Sequence, residues 1–266
     1  MVKVISSLQN PLIKNVLLLG EKPRVRKDQN RILIEGHREV RLAITSGFNV
    51  TDLIYTPELI SDDDLRSLIL PGAQTELTEV SREVFNRIAY RKDSGGLIAL
   101  AEPRRLLFGD LKLREMPLLL VLETVEKPGN LGALLRTADA ANLDAVVICD
   151  PQTDIYNPNA VRSSIGCIFT MPVVTASSED AIAWMRVSGI KIFGTALTAL
   201  RHYHETDFKQ PAAIVMGSEA NGLTNTWLDG SDELIKIPMM GKIDSMNVST
   251  SAAIVIFEAM RQRNFQ

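Results

Sequence analysis

The feature that most constrains the fold of this chain is the aliphatic run LLLVL at residues 118–122. A strand with apolar side chains on both faces is typical of a parallel sheet that helices cover on either side. Similar strand-like segments follow and alternate with segments of helical periodicity. They are residues 145–149, 171–174, 191–195, 212–216 and 234–237. The sequence therefore predicts an α/β fold with a mostly parallel sheet and helices on both faces.

The N-terminal part of the chain has the pattern of a smaller α/β unit, because short extended segments alternate with helical ones. The extended segments are residues 31–34, 50–55, 75–77 and 96–101, and the helical ones are residues 5–19, 37–46, 62–70 and 80–88. Residues 20–29 are polar, basic and interrupted by proline, so we expect a mobile connection there. We predict a small α/β domain at residues 1–105, a linker at 106–117 and a second domain at 118–266.

Composition excludes several classes of protein. The chain has 45% hydrophobic residues, which is normal for a globular protein, and no segment approaches the ~18 apolar residues of a membrane span. Cys149 and Cys167 lie far apart in the sequence, which supports neither a disulfide framework nor a metal site. We expect a soluble cytoplasmic protein that does not contact a membrane.

Charge gives a mixed indication about nucleic acid. A formal net charge of −3 argues against general electrostatic binding of nucleic-acid phosphates by the whole protein. Basic residues nevertheless crowd the first part of the chain, and Arg24, Arg26, Lys27 and Arg31 are candidates for a surface that faces phosphates. A solvated surface of mixed charge is the alternative.

The familiar nucleotide and metal motifs are missing. The chain has neither the G-x-G-x-x-G nor the G-x-x-x-x-G-K-[ST] motif, which disfavours dinucleotide-dependent dehydrogenases and P-loop enzymes. His202 and His204 have no cysteine nearby, and such a histidine pair is more often plain surface than a metal site. No metal is predicted.

Polar motifs instead follow three predicted strands. Residues 130–138 (NLGALLRTA) open a helix, residues 214–223 (IVMGSEANGL) end a strand in a glycine-containing loop, and residues 237–248 (IPMMGKIDSMNV) lead into an apolar helix. Ser245 and Asn247 are both good N-cap residues for that helix. Because ligands of α/β proteins bind at the carboxyl ends of strands, we expect the three segments to converge on one pocket.

Together these three stretches resemble the motifs of the SpoU/TrmH branch of the SPOUT RNA methyltransferases. Residues 7–11 (SLQNP) and 32–36 (ILIEG) also look like part of the substrate-binding domain that often precedes that catalytic domain. The resemblance implies a C-terminal trefoil knot, a homodimer through the catalytic domains, S-adenosylmethionine as methyl donor and an RNA ribose 2′-hydroxyl as acceptor. It favours ribosomal RNA, and the N-terminal domain would then bind this substrate.

The resemblance also implies roles for individual residues. Arg136 matches the catalytic arginine, and because a guanidinium stays charged in proteins, phosphate binding and orientation of the nucleophile are its physically safer roles. The other catalytic candidates are the polar residues that match motif positions: Asn130, Glu219, Ser245 and Asn247. The residues that match cofactor-binding positions are Leu197, Gly217, Ile237 and Met246.

Some alternatives stay open. Asn130 is also consistent with a simple helix N-cap, and Arg136 with a surface ion pair to Asp139. Ala220 and Met246 replace a glycine and a leucine that are commoner in the family, and Lys127 stands in a segment that is usually acidic. At the level of function, the alternatives are a transfer RNA 2′-O-methyltransferase and a non-catalytic RNA-binding protein of the same fold.

Overall fold

The computed structural model describes residues 3–72, 74–90 and 95–265, which form two compact units. One unit consists of Met1–Arg104 and Tyr156–Thr170, and the other of Arg105–Ile155 and Met171–Gln266. The strands are β1 (Lys3–Ile5), β2 (Ile32–Glu35), β3 (Val50–Tyr55), β4 (Glu76–Val80), β5 (Leu97–Ala101), β6 (Leu118–Glu123), β7 (Ala145–Cys149), β8 (Val173–Ala176), β9 (Lys191–Thr195), β10 (Arg201–His202), β11 (Ala212–Met216) and β12 (Glu233–Lys236). The helices are α1 (Pro11–Glu21), α2 (Pro23–Gln29), α3 (His37–Thr45), α4 (Asp62–Arg66), α5 (Arg82–Ile88), α6 (Pro128–Ala140), α7 (Pro158–Ser163), α8 (Cys167–Thr170), α9 (Ser178–Val187), α10 (Asn225–Gly230) and α11 (Val248–Gln262).

The first unit, here called the N-terminal unit, is built on a mixed five-stranded sheet in the order β1-β4-β3-β5-β2. Strands β1, β4 and β3 run parallel, whereas β5 is antiparallel to both β3 and β2. Every side chain of β5 is buried, as expected for the central run of apolar residues Leu-Ile-Ala-Leu-Ala. Strand β1 was not predicted, because three residues are too few to carry a recognisable alternation.

The expected mobile connection at residues 20–29 is wrong, since most of it forms helix α2. Pro23 occupies the first turn, where a missing N–H costs nothing, and Asn30 ends the helix in the left-handed conformation (φ 50°). Arg26 is only 3% exposed, and its guanidinium donates to the backbone carbonyls of Leu19 and Gly20. Arg26 therefore joins α1 to α2 and is not available to phosphates.

Two of the other basic residues that were predicted to face phosphates form ion pairs. Arg31 pairs with Asp52 at 3.3 Å, and Arg24 pairs with Asp28 at 3.4 Å one turn along the helix. Both arginines keep at least a third of their side chains exposed. The basic surface predicted to face phosphates is therefore in part a surface of mixed charge, and Arg26 does not belong to it.

The N-terminal unit recruits residues 156–170 from much later in the chain. Helix α7 packs on β2, and α8 packs on α3. Gly166 has φ 90°, and a Cβ atom there would lie 2.6 Å from Leu42 Cδ1, so only glycine fits between α7 and α8. Phe169 packs edge-on against Phe48, with 5.1 Å between ring centroids. The sequence did not indicate this excursion, because the segment lies between two strands of the other unit.

The second unit, here called the C-terminal unit, contains a seven-stranded sheet in the order β10-β12-β9-β11-β6-β7-β8. All the pairings are parallel, as the aliphatic strands predicted. Strand β6 is buried along its whole length, and β7, β9 and β11 begin and end where the sequence placed them. Strand β8 starts two residues later than expected, and the two-residue β10 was not predicted.

Residues 105–117 belong to the C-terminal unit and pack against it. Phe108 stacks on Trp184, with 4.4 Å between ring centroids and 13° between ring planes. Arg114 binds the Asp144 carboxylate through two nitrogens, at 3.0 Å and 2.8 Å. A segment with the composition of a linker is thus fixed to the sheet by one aromatic and one charged contact.

Helix α11 closes the C-terminal unit by packing against α6 and β11. Just beyond its end, the half-buried guanidinium of Arg263 donates to the carbonyls of Met116, Pro117, Phe208 and Gln210. These acceptors lie in different segments, so one side chain joins three parts of the chain. Burial lowers the pKa of Arg263 from its ordinary value.

Both cysteines are buried, and no disulfide bond links them. Burial, followed by the negative charges of Asp150 and Glu123, raises the pKa of the Cys149 thiol to about 12. Among the helices described, none is both long and apolar enough to cross a lipid bilayer.

Candidate active site

A cavity of about 520 Å³ opens at the carboxyl ends of β9, β11 and β12 in the C-terminal unit. The loops that follow these strands supply most of its wall, and the start of α11 supplies the rest. All four residues predicted to bind the cofactor line it: Leu197, Gly217, Ile237 and Met246. The expected convergence of strand-to-loop junctions is therefore seen in the structure for two of the three motifs, at residues 214–223 and 237–248.

The wall contains residues that the sequence reasoning missed. Thr195 and Met216 end their strands at the cavity, and Met239 follows the motif proline. Leu228 reaches it from α10, and Val255 from the second turn of α11. Each of these is an apolar or small residue that core packing would explain equally well, so nothing in the sequence alone distinguished it.

Gly217 is required by the shape of its own loop. A Cβ atom at this position would lie 2.2 Å from the backbone carbon of Gly222 and 2.5 Å from the nitrogen of Leu223. Ser218 and Gly222 exchange two backbone hydrogen bonds of 3.0 Å, which bring the two ends of the loop together. The sequence interpretation was that glycine admits a ligand, but the atoms closest to this position belong to the loop itself.

A buried carboxylate fixes the far end of the same loop. Glu123, at the end of β6, is 2% exposed and accepts hydrogen bonds from the backbone N–H of Thr224 at 2.9 Å and from its hydroxyl at 2.6 Å. This role could not be predicted from the sequence, in which Glu123 is simply a polar residue at the end of an aliphatic strand. The contact ties the loop after β11 to β6.

Glu219 is the centre of a polar cluster beside the cavity. One carboxylate oxygen accepts from Asn247 Nδ2 at 2.7 Å, and the other accepts from Lys127 Nζ. The Asn130 side chain and the backbone N–H of Val248 also lower the pKa of this carboxylate. The hydrogen bond from Lys127 is the largest cause that holds the pKa of Glu219 below its usual range, and the same contact raises the pKa of Lys127.

Asn247 connects this cluster to α11. Its Oδ1 accepts from the backbone N–H of Ser249 at 3.0 Å and from the Ser249 hydroxyl at 2.5 Å, so it is the N-cap of the helix, as predicted. Its Nδ2 donates to Glu219 and, at 3.3 Å, to Asn130 Oδ1. One side chain therefore sets both the start of the helix and the position of the carboxylate.

Asn130 is not an N-cap, so that alternative is wrong. Helix α6 begins at Pro128, with Lys127 at the cap position, and Asn130 lies within the first turn. There its side chain points to Glu219 and Asn247. Lys127, which departs from the family pattern, instead supplies the cation that pairs with Glu219.

Arg136 lies on the exposed side of α6 and takes no part in the hydrogen bonds of the Glu219 cluster. Gly129 stands two turns earlier on the same face of the helix, since seven residues complete nearly two turns. A Cβ atom at Gly129 would meet nothing within 4 Å. The face of α6 that carries Gly129 and Arg136 is therefore sterically accessible.

Ser245 lines the cavity but also lies outside the Glu219 cluster. It is exposed, and its hydroxyl donates to the neighbouring Asp244 carboxylate at 3.2 Å. Outside the cavity, His202, His204 and Glu205 bring ligand atoms within 4.8 Å of one another. This group is largely exposed, and the Glu205 carboxylate already accepts from the backbone N–H of His202 at 3.0 Å.

Comparisons with known families match both units. Residues 117–257 match the SpoU rRNA Methylase family, and residues 10–99 match the MRM3-like substrate binding domain. The first match covers the whole cavity and the Glu219 cluster. The second begins at the start of α1 and ends within β5.

The chain is also similar to characterised proteins over most of its length. It is 30% identical over 255 residues to the 23S rRNA (guanosine(2553)-2'-O)-methyltransferase RlmP of Bacillus subtilis, which covers 96% of this chain and 98% of that one. The structure of an AdoMet-bound rRNA methyltransferase from Sinorhizobium meliloti has a TM-score of 0.89 and 30% identity over 98% of both chains. The SpoU methyltransferase AviRb from Streptomyces viridochromogenes, in complex with the cofactor AdoMet, has a TM-score of 0.87 and 27% identity, and covers 96% of this chain and 99% of that one.

Proposed function

Because the chain belongs to the SpoU rRNA methylase family, we propose that it transfers a methyl group from S-adenosylmethionine to a ribose 2′-hydroxyl of ribosomal RNA. The observation that carries this proposal is the Glu219 cluster beside a cavity that the predicted cofactor residues line. RlmP and its relative from Streptomyces viridochromogenes, a 23S rRNA (uridine(2479)-2'-O)-methyltransferase, both take ribosomal RNA as their named substrate. This favours ribosomal over transfer RNA.

The cavity suits S-adenosylmethionine, which supplies an electrophilic methyl group when it is bound. Leu197, Ile237 and Met246 offer apolar surface for an adenine ring, and the surrounding loops offer backbone groups for its polar edge. Glu219 and Asp244 place negative charge at the wall, which favours a cationic ligand. A volume of about 520 Å³ lies within the ~300–1,000 Å³ typical of small-molecule sites.

The catalytic roles divide between positioning and contact with RNA. Glu219 holds Asn130 and Asn247 in fixed orientations, and Lys127 keeps that carboxylate ionised. Arg136 binds a phosphate of the substrate strand from the open face of α6 and thereby orients the ribose hydroxyl. Its guanidinium keeps its proton, so it acts by charge and not as a base. The Ser245 hydroxyl is placed to donate to the ribose oxygen as charge develops on it.

A non-catalytic RNA-binding protein of this fold is the alternative from another class of function. Such a protein has no need to retain the polar residues of the methyl-transfer site. Here Asn130, Glu219 and Asn247 are all present, and Asn247 is hydrogen-bonded to both of the others. The intact network supports the enzyme.

The organisation of the whole protein follows from the same proposal. Residues 1–105 bind the RNA together with residues 156–170, which belong to the same unit, residues 106–117 lead out of that domain, and the rest of residues 118–266 carries the methyltransferase. The C-terminal chain forms a trefoil knot, and two copies associate through their catalytic domains. We place the protein in the cytoplasm, where the reduced state of Cys149 and Cys167 is maintained.

The experiment that tests this function compares a matched pair of RNA substrates. Sites of 2′-O-methylation are first mapped in ribosomal RNA from cells with and without this chain. The target ribose is then replaced by 2′-deoxyribose in an otherwise identical RNA. Binding should persist and methylation should disappear. Methylation of the deoxy substrate would place the methyl group on a base and overturn the assignment.

A further inference from the structure

A second cavity, of about 360 Å³, lies entirely within the N-terminal unit. The end of β2 and the start of α3 form one wall, and the recruited helix α7 with Ile165 forms the other. Tyr90 and Gly95 complete the rim. The volume falls at the lower end of the ~300–1,000 Å³ range for small-molecule sites, so it can hold one nucleotide-sized group.

His37 provides an unsatisfied polar atom in this cavity. It is the first residue of α3, and its Nε2 atom is buried without a hydrogen-bond partner in the described part of the chain. A buried imidazole nitrogen that makes no hydrogen bond destabilises the folded protein. A ligand atom that hydrogen-bonds this nitrogen would remove that destabilisation.

Tyr90 provides a flat surface at the rim of the cavity. It is 60% exposed, which is unusual for a large aromatic residue beside a cavity. Its backbone N–H donates to Glu35 Oε2 at 2.7 Å, and the Arg162 guanidinium lies 5.6 Å from its ring centroid. The backbone of Tyr90 is therefore held at the end of β2 and its ring lies beside Arg162, while more than half of the residue remains exposed.

We propose that this cavity receives one unpaired nucleotide of the RNA substrate, with its base stacked on Tyr90 and its polar edge hydrogen-bonded to His37. Arg38 and Arg162, which also line the cavity, are placed to bind the adjoining phosphates. The inference rests on the proposed function, because it assigns a contact to the RNA that the methyltransferase modifies. It places recognition of a nucleotide other than the methylated one in the N-terminal unit.

The chemistry of the wall favours a base over a free anion. A phosphate or sulfate needs several donors and gains nothing from an aromatic ring, whereas proteins commonly bind unpaired bases by stacking and by hydrogen bonds to their edges. Glu35 and Glu39 also line the cavity and would repel an isolated anion. The wall offers hydrogen-bond donors and acceptors side by side. This arrangement suits a nucleobase, because the edge of a base also carries both.

The test measures binding of a short single-stranded RNA of randomised sequence to the full-length protein. Tyr90→Ala should weaken binding about tenfold, the size expected for the loss of one base–aromatic stack. Tyr90→Phe keeps the ring and should bind as the wild type does. His37→Ala should also weaken binding, and the same RNA annealed into a duplex should be insensitive to all three substitutions.

Two controls separate this inference from its premise. Leu70→Ala removes another exposed apolar side chain from the N-terminal unit, 52% exposed, and should change nothing. Affinity for S-adenosylmethionine reports on the C-terminal unit and should be unchanged in every variant, while thermal unfolding of each variant shows whether the N-terminal unit is folded. Methylation of ribosomal RNA by the wild type tests the proposed function by itself.

The outcomes are decisive in either direction. Wild-type affinity in Tyr90→Ala overturns the inference even if the enzyme methylates ribosomal RNA. A loss in Tyr90→Ala with no effect in His37→Ala means that the base stacks outside the cavity, which overturns the pocket. Equal losses for single-stranded and duplex RNA mean that only phosphates are bound here, which also overturns it.

Discussion

Asn247 Nδ2 donates to Glu219 Oε1 at 2.7 Å, while Oδ1 of the same Asn247 side chain caps helix α11. Asn247→Asp separates the two roles, because a carboxylate still accepts from the Ser249 N–H but repels Glu219. We expect methyl transfer to fall at least tenfold while thermal stability changes little. Asn247→Ala should lose both the cap and the contact, at a cost of about 1 kcal/mol in the free energy of unfolding. Full activity in Asn247→Asp would contradict the proposed network.

Arg136→Ala should abolish methyl transfer and leave the affinity for S-adenosylmethionine unchanged. The reason is geometric: Arg136 is exposed on α6 and is not among the residues that line the cofactor cavity. Arg136→Lys keeps the charge but not the forked donor geometry and should recover only part of the activity. Calorimetry of donor binding and a turnover assay measure the two effects separately. Normal turnover in Arg136→Ala would remove this residue from the reaction.

Gly217→Val should abolish binding of S-adenosylmethionine, because a side chain there collides with Gly222 and forces the loop out of shape. Gly109→Ala is the matched control in the same unit, since a Cβ atom at Gly109 meets nothing within 4 Å. The control should bind the donor as the wild type does. Donor affinity measured by calorimetry decides the matter, and unchanged affinity in Gly217→Val would mean that the loop does not shape the cofactor site.

Lys127→Met should make the enzyme more sensitive to acid. The hydrogen bond from Lys127 lowers the pKa of Glu219. The network that depends on ionised Glu219 is therefore fully present above the ordinary pKa of a glutamate, ~4.3, and is lost as the pH falls through the lower folded value. Without Lys127 that folded pKa rises, so the loss begins at a higher pH. The acidic limbs of the two activity profiles should differ in this direction, and coincident limbs would exclude the coupling.

Arg263→Ala should destabilise the protein by about 3 kcal/mol, because it leaves four backbone carbonyls without their charged donor. Arg261→Ala is a suitable control, since that neighbouring arginine is exposed and pairs with Glu258 within one turn of α11. Its removal should cost much less stability, because exposed ion pairs contribute little. Urea unfolding of the two variants provides the comparison. Equal stabilities would show that Arg263 contributes no more than a surface ion pair.

The central features of the C-terminal unit could be predicted from the sequence because they depend on local patterns. Aliphatic strands predict a buried parallel sheet, and an asparagine before an apolar helix predicts an N-cap. Glu123 and Arg263 could not be assigned in this way, since their partners lie far away in the chain. Their side chains acquire a role only when the fold brings those partners together.

The site was predictable to a similar extent. Motif matches identified the residues that line the cofactor cavity, but not the reason for Gly217, which is a close approach between two parts of one loop. The pairing of Lys127 with Glu219 was also missed, because the two residues lie far apart in the sequence and Lys127 was noted only as a departure from the family pattern. In the N-terminal unit, Arg26 counted as a surface charge because nothing in the sequence around it shows burial.

The excursion of residues 156–170 into the N-terminal unit affects how the protein can be made. That unit cannot complete its packing until Thr170 has left the ribosome, by which time β6 and β7 of the other unit have already been synthesised. Before that point, Phe48 lacks its partner Phe169, and Leu42 lacks the close contact with Gly166. The two units therefore mature together and not one after the other, as separate N-terminal domains usually do. A nascent chain that stalls between residues 105 and 155 would expose apolar surface of the N-terminal unit and would be a target for chaperones.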